Sequence, residues 1–464
     1  MAEVTQAKSA PDGEPPDGQE PPLRRVLGPK LLLFFIIGDI LGAGVYALTG
    51  KVAGEVGGAL WLPFLIAFVV AALTACSYVE LVGKYPRAAG AALYANKAFG
   101  IPFLTFIVAF AVMASGITSA STSARAFGGD YLSEFVSLPV VLVAVLFLIV
   151  LALVNFRGVS ESVKANVVLT IVELTGLLVI IGIGVYAVLA GDGEPSRLTE
   201  IERSDGVVFA LLGGASLAFF ALVGFEDSVN MAEEVREPPR AFPRALLGGL
   251  AITGTIYILV ALTSSLLVDP KTLEESTGPL LEVVKAGDVD FPPKLFALIA
   301  LFALTNTALI NMLMASRLVY GMSREGIVPG IFGRVHAGRR TPWIAIIFTT
   351  VLGFALVATS RVEDLGDTTS LLLLCVFAVV NVAVLVLRRE PVEHEHFRVP
   401  TAVPVLGAIT CVILASPFTG REGSVYLTAG VLMAVGVVLW FVNRAVVGKP
   451  DEIDAERRGA GSSL

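Results

Sequence analysis

Charge is scarce in this chain. Asp, Glu, Lys and Arg make up only 16% of its 464 residues, where a soluble domain carries about a quarter. With 55% hydrophobic residues and a mean hydropathy of +0.80, burying this much apolar surface needs lipid. Cysteine is nearly absent. Cys76, Cys375 and Cys411 all lie in apolar stretches, which excludes a disulfide framework and a cysteine-based metal cluster. Histidine is as scarce. His336, His394 and His396 fall in polar loops without an HExxH pattern, so an intramembrane metalloprotease is excluded, and no catalytic residue, metal or cofactor is expected. The net charge of −7 comes with no basic patch, so nucleic acid is not a partner. Residues 1–23 lack the apolar core of a signal peptide; they and residues 449–464 read as disordered tails.

What the chain has is long apolar runs. A membrane-crossing helix needs about 20 apolar residues, and about twelve such spans are expected at 31–50, 58–82, 92–124, 138–156, 165–190, 206–232, 243–268, 292–320, 342–359, 368–387, 400–417 and 424–443. The expected fold is an all-α polytopic membrane protein. Orientation can be read from Lys and Arg. With the N-terminus in the cytoplasm, 23 of the 33 fall on the inside, counting Lys97 and Arg244 near the ends of their spans, 9 on the outside, counting Lys294 likewise, and one, Arg317, is left within a span. Both termini are then cytoplasmic and the bilayer is the cell (inner) membrane.

Two spans are interrupted. The first carries Gly38, Gly42 and Gly44 in GDILGAG; the sixth carries AFFALVGFEDSVN at 218–230, where Gly224 precedes two acids. Glycines by themselves also serve close helix packing. A matched interruption in both halves, each beside a carboxylate, points instead to discontinuous helices of an inverted repeat. The five-span offset makes spans 1–5 (about 29–190) and 6–10 (about 206–390) the two repeats. Spans 11 and 12 (391–446) are accessory, flanked by tails at 1–28 and 447–464.

Charges inside spans are few and placed alike. At 1.5 Å per residue, Asp39 lies roughly 13 Å beyond Lys30, and Glu173 the same beyond Lys164. Glu226 lies roughly 15 Å before Arg236. A charge there costs about 2.5–3.5 kcal/mol and tends to mark an ion or proton path, and a low-dielectric medium favours the protonated acid. Each acid singly also suits a hydrogen-bonded helix contact, and Asp227 a capping role. An unwound helix frees backbone N–H groups, which bind anions at a half-helix start, and frees carbonyls that accept from an ammonium. An amino acid offers both groups, although an ion or another small solute would also fit.

The sequence resembles the amino acid–polyamine–organocation (APC) superfamily of permeases over nearly its whole length. The likeness rests on GDILGAGVYALTGKVAG (38–54), ELVGKYPRAAGAALYANKAFG (80–100), FFALVGFEDSVNMAEEVREPPRAFPRA (219–245) and ASRLVYGMSREGIVP (315–329), in that order. The resemblance implies a five-plus-five inverted repeat with alternating access, monomeric or weakly dimeric. It implies that Leu41, Gly42, Ala43 and Gly44 offer backbone contacts to a substrate carboxylate. Phe219, Ala221 and Leu222 would offer carbonyls to its amine, and Phe220 an aromatic gate. Asn311 would face substrate or else bond another helix, and Glu226 would take part in proton-linked gating. Where some relatives carry a span-5 Lys, TIVELTG places Glu173, and Asp39 stands where many have a neutral residue. These acids keep both H⁺ and Na⁺ open as coupling ions. The expected function is a secondary active amino acid transporter, proton-coupled; a polyamine or cationic amino acid carrier or exchanger is the alternative.

Overall fold

A proline opens six of the helices. The computed structural model describes residues 27–86, 90–157, 162–201, 206–324, 326–392 and 394–447. Within them α1 (Pro29–Ile40), α5 (Pro102–Ala126), α9 (Pro238–Leu267), α10 (Pro270–Glu275), α11 (Pro279–Ala286) and α12 (Pro293–Arg324) all begin on it. At the first helical position proline sacrifices no hydrogen bond and presets φ. The other α-helices are α2 (Ala43–Val56), α3 (Trp61–Lys84), α4 (Gly90–Phe99), α6 (Val140–Arg157), α7 (Ser162–Ala190), α8 (Val207–Ala218), α13 (Trp343–Thr359), α14 (Val362–Leu387), α15 (Ala402–Ala415) and α16 (Gly423–Val447). Among the described residues there is no strand, only an isolated parallel bridge between Leu27 and Val235. In it Leu27 N donates to Glu234 O at 3.0 Å and Arg236 N to Leu27 O at 2.9 Å.

Among the described residues ten segments are long and apolar enough to cross a membrane, and α13 and α15 are shorter apolar helices of 17 and 14 residues. The protein is thus an all-helical polytopic membrane protein with about twelve apolar segments. Both expected breaks are present. Span 1 is α1 and α2, parted at Leu41 and Gly42. Span 6 is α8, a 3₁₀ turn over Phe219–Leu222, an extended Val223, and a second 3₁₀ segment over Asp227–Glu234.

The expected span 92–124 is two helices. α4 ends at Phe99, Gly100 takes φ +62°, and α5 starts at Pro102. Span 10 starts earlier than its hydropathy suggests, because Glu363, Asp364 and Asp367 lie in the first turns of α14 and find partners there. The connection after α9 holds α10 and α11. The expectations for the tails fall on residues 1–26 and 448–464, outside the described residues.

Large apolar side chains on α6, α7, α15 and α16 stay exposed, Val150, Leu153, Leu189, Val412 and Leu427 among them. That is the outside of a bundle that faces hydrocarbon. Several inward-facing hydroxyls are satisfied within their own helix. Ser121, Thr122 and Ser123 donate to the carbonyls at i−4, as a medium without water requires. Between helices, Thr118 and Thr369 join α5 to α14 at 2.6 Å. Asn381 of α14 accepts from Ser77 at 2.6 Å and donates to Thr74 at 3.0 Å, both on α3.

Two ionic clusters secure the ends. Where α3 stops, Arg388 holds the buried Glu80 by two bonds of 2.7 Å, and Glu80 also accepts Val399 N at 3.0 Å. This fixes the chain between α14 and α15. Beside it, Tyr85 donates to Glu390 at 2.9 Å; burial and that bond push its phenol up to about 12. At the opposite end Arg421 pairs with Asp367 at 2.8 Å and also donates to Ser216, joining α14 and α8 to the segment before α16.

Candidate functional site

The two breaks touch. Gly224 takes φ +114°, a conformation that side chains disfavour, and a Cβ there would stand 2.7 Å from the carbonyl oxygen of Asp39. On the other side of the crossing, a Cβ on Gly44 would meet the Ala221 backbone at 2.3 Å. Only glycine lets the two unwound stretches cross this closely.

Around the crossing lies a cavity enclosing roughly 590 Å³ of non-protein space. Asp39, Gly42, Ala43 and Gly44 from span 1 line it, with Phe220, Gly224, Glu226 and Asp227 from span 6. α5 contributes Ser115, Gly116 and Ser119; α12 contributes Thr307, Asn311, Met314 and Leu318; α14 contributes Thr369. From Thr307 to Leu318 the lining runs roughly 16 Å along α12, toward the end that carries Arg324. Toward the other end, two residues beyond Gly44, Tyr46 is fully buried. Its ring lies 6.4 Å from Tyr131 and 6.2 Å from Phe296, and Tyr131 Oη donates to Tyr46 O at 2.8 Å.

α2 starts at this region, and the amides of Gly42 and Ala43 are taken. Gly42 N donates to Ile40 O at 2.7 Å and to Tyr257 Oη at 3.3 Å. Ala43 N donates to Thr307 Oγ1 at 3.0 Å. Tyr257 in turn donates to Ile40 O at 2.6 Å. Two hydroxyls from α9 and α12 therefore hold the broken backbone together and occupy donors that an anion would otherwise use.

Three carboxyl groups face the cavity. Glu226 Oε2 accepts from Gly224 N at 2.8 Å, which folds the acid back over the turn. Asp39 Oδ2 is buried without a partner, and Asp227 stands next to both acids. Glu173 sits apart from this wall. It is fully buried on α7, and its carboxyl group faces the Asn306 side chain of α12.

Of the residues singled out in the sequence, the cavity brings together Asp39, Gly42, Ala43, Gly44, Phe220, Asn311 and Glu226. Leu41, Phe219, Ala221 and Leu222 are buried behind it, with Phe219 packed edge-on to Phe377 at 5.9 Å. Asn311 Nδ2 donates to Thr307 O at 2.9 Å, within its own helix. Sequence reasoning missed Tyr257, Thr307 and the Ser115–Ser119 pair. The polar run TNTALIN (305–311) in an apolar span was a usable signal for Thr307; Tyr257 stands in a regular span without one.

Proteins of similar sequence are transporters. The sequence model of a family described as amino acid permease matches residues 27–442. A methylthioribose transporter of Bacillus subtilis (strain 168) is 27% identical over 443 residues, covering 90% of this chain and 93% of the relative. A cationic amino acid transporter, number 9, chloroplastic, of Arabidopsis thaliana is 30% identical over 338 residues, 68% of this chain and 58% of the relative. The branched-chain amino acid permease BcaP of Bacillus subtilis is 25% identical over 419 residues, 85% and 88%.

Proposed function

The chain belongs to the amino acid permease family, a family of transporters, and on that premise we propose that it carries amino acids across the cytoplasmic membrane by alternating access, as a proton-coupled symporter with both termini inside. The observation that carries this reading is the cavity where two broken spans cross, with a half-helix N-terminus on one side and three carboxyl groups on the other.

A zwitterion fits those two poles. Its carboxylate takes the α2 end, where a half-helix presents N–H groups and the positive end of its dipole. To do so it displaces the Thr307 hydroxyl from Ala43 N. Its ammonium lies toward Asp39, Glu226, Asp227 and the carbonyls of the Phe219–Leu222 turn, and Phe220 covers the side chain. Asp39, Glu173 and Glu226 are the proton-carrying candidates, because each is a carboxyl held off water near the break. The filled space around Tyr46 and Tyr131, with cavity lining that runs toward the Arg324 end, suits a state facing the cytoplasm. The two repeats, about 29–190 and 206–390, then each supply one broken span to this site.

Three acids on one cavity also suit a second positive charge, so a cationic amino acid or polyamine carrier is the second reading. The experiment is uptake into proteoliposomes of the purified protein under imposed pH and Na⁺ gradients, with labelled neutral and cationic amino acids, putrescine and methylthioribose. Accumulation of a neutral amino acid driven by inward proton flow is expected. Uptake confined to putrescine or cationic amino acids establishes the second reading, and uptake of none of the compounds overturns both.

A further inference from the structure

The two turns that open α9 carry a row of exposed cations away from the cavity. Arg240 and Arg244 stand one helical turn apart, and Arg236 lies just before the helix; all three are exposed. With Pro29 at the start of α1, Glu237 and Ala241 they line a recess of about 890 Å³. Among the described residues Glu237 is the only acid in that lining. Its 3.2 Å pair with Arg240 joins side chains 73% and 84% exposed, and a solvated pair of that kind contributes little. The first two residues of α9 are prolines, so its N-terminus has no free amides there and the guanidinium groups are the donors on offer.

The surface further along the same helix narrows the ligand. At helical spacing beyond Arg240 and Arg244 come Gly248, Ile252, Thr255 and Leu259. Ile252 and Leu259 are 44% and 40% exposed. Phe34 on the neighbouring α1 is 41% exposed, and Gly248 leaves a shallow place beside Leu33. From Arg244 to Leu259 this stripe runs roughly 22 Å, longer than the ~15 Å that one leaflet contributes to a ~30 Å hydrocarbon core. A row of guanidinium groups continuing into a lipid-length apolar stripe matches a molecule with a phosphate at one end and hydrocarbon at the other. A soluble phosphate uses only the first half of that surface.

We propose that the recess between the start of α1 and the first two turns of α9 binds the headgroup of an anionic phospholipid, with Arg240 and Arg244 on its phosphate and an acyl chain along Ile252 and Leu259. Arginine suits this place, because its fork binds phosphate oxygens bidentately while its stem lies on apolar surface. The site is at the open end of the half-helix α1, so an occupied headgroup restrains the piece of span 1 that precedes the break. Lipid binding here does not depend on what the protein carries.

The test is native mass spectrometry of the full chain with phosphatidylglycerol and phosphatidylcholine in equal amounts, beside thermal unfolding in each lipid and in glycerol 3-phosphate alone. The wild type is expected to retain phosphatidylglycerol at least tenfold over phosphatidylcholine and to unfold at higher temperature with it. R240Q/R244Q should lose that preference and R240K/R244K keep most of it. Equal retention of both lipids by the wild type overturns the proposal, and so does an undiminished preference in R240Q/R244Q. Glycerol 3-phosphate stabilising as much as the lipid makes this a soluble-phosphate site and overturns it too. If the double variant does not fold, R244Q alone and the wild-type preference decide.

Discussion

Gly224 and Asp39 meet backbone to backbone: the space where a residue-224 side chain would begin lies 2.7 Å from the Asp39 carbonyl oxygen. The span-6 break is thereby seated on the span-1 break. Replacing Gly224 by Ala sets a methyl against a carbonyl that has no room to retreat, at a φ of +114°. Backbone strain of this kind costs about 1–3 kcal/mol. The variant should melt several degrees lower in detergent and lose most of its uptake, whereas Gly248→Ala, with its nearest neighbour at 3.9 Å, should do neither.

Tyr257→Phe tests the staple across the span-1 break. The ring remains, but Ile40 O loses one of its two donors and Gly42 N one of its two acceptors. Gly42 N and Ile40 O keep their bond to each other, so the loss is that of ordinary hydrogen bonds, about 0.5–1.5 kcal/mol each. A lower melting temperature and a changed KM are expected together; an unchanged melting curve would mean that the staple contributes nothing.

Gly42→Leu separates the carboxylate site from the scaffold. A Cβ at 42 would lie 2.7 Å from Thr307 Oγ1, so the side chain fills the place assigned to the substrate carboxylate. Thr307 can turn aside, and the fold should survive. Substrate-induced thermal stabilisation should vanish, while the ligand-free melting temperature moves little; unchanged affinity would sink the assignment.

The breaks themselves were legible, because glycine clusters beside acids are rare in lipid-spanning sequence and both occurred five spans apart. The fold class was legible for the same reason that the composition is extreme. The staples were not. Tyr257 and Thr307 sit in uninterrupted helices, and only the crossing of α9 and α12 past the break gives their hydroxyls a task. The start of α14 was misplaced because Glu363, Asp364 and Asp367 lower local hydropathy. Arg361 beside them was in view, but Arg421 and Ser216, the partners of Asp367, come from elsewhere in the chain, which one-dimensional reading does not see. The α4–α5 division was written in Gly100 and Pro102 and was passed over for the apolar run around them.

Arg388→Met should be among the most damaging changes away from the cavity. It leaves the buried Glu80 without either of its 2.7 Å bonds, and breaking one side of a buried pair costs about 3–5 kcal/mol. Glu80→Gln in the same chain should recover part of the lost melting temperature, since the stranded charge is then gone. No recovery would place the damage in the Arg388 contacts to Val399 and Thr401 instead.

Glu226→Gln and Glu173→Gln address coupling. Each removes a proton site without changing side-chain volume. Accumulation driven by a pH gradient should fall to the level of passive exchange in at least one of them, while counterflow with substrate on both sides persists. Normal concentrative uptake by both variants would remove these acids from the proton path.

The short bridge between Leu27 and Val235 has a mechanical meaning. It joins the stretch of chain leading into α1 to the stretch leaving the Asp227–Glu234 segment, one rung on either side. The lower arms of the two interrupted spans are thus coupled like two levers on a common pivot. For one arm to move without the other these two bonds must break, which ties the chain entering α1 to the arm that carries Glu226.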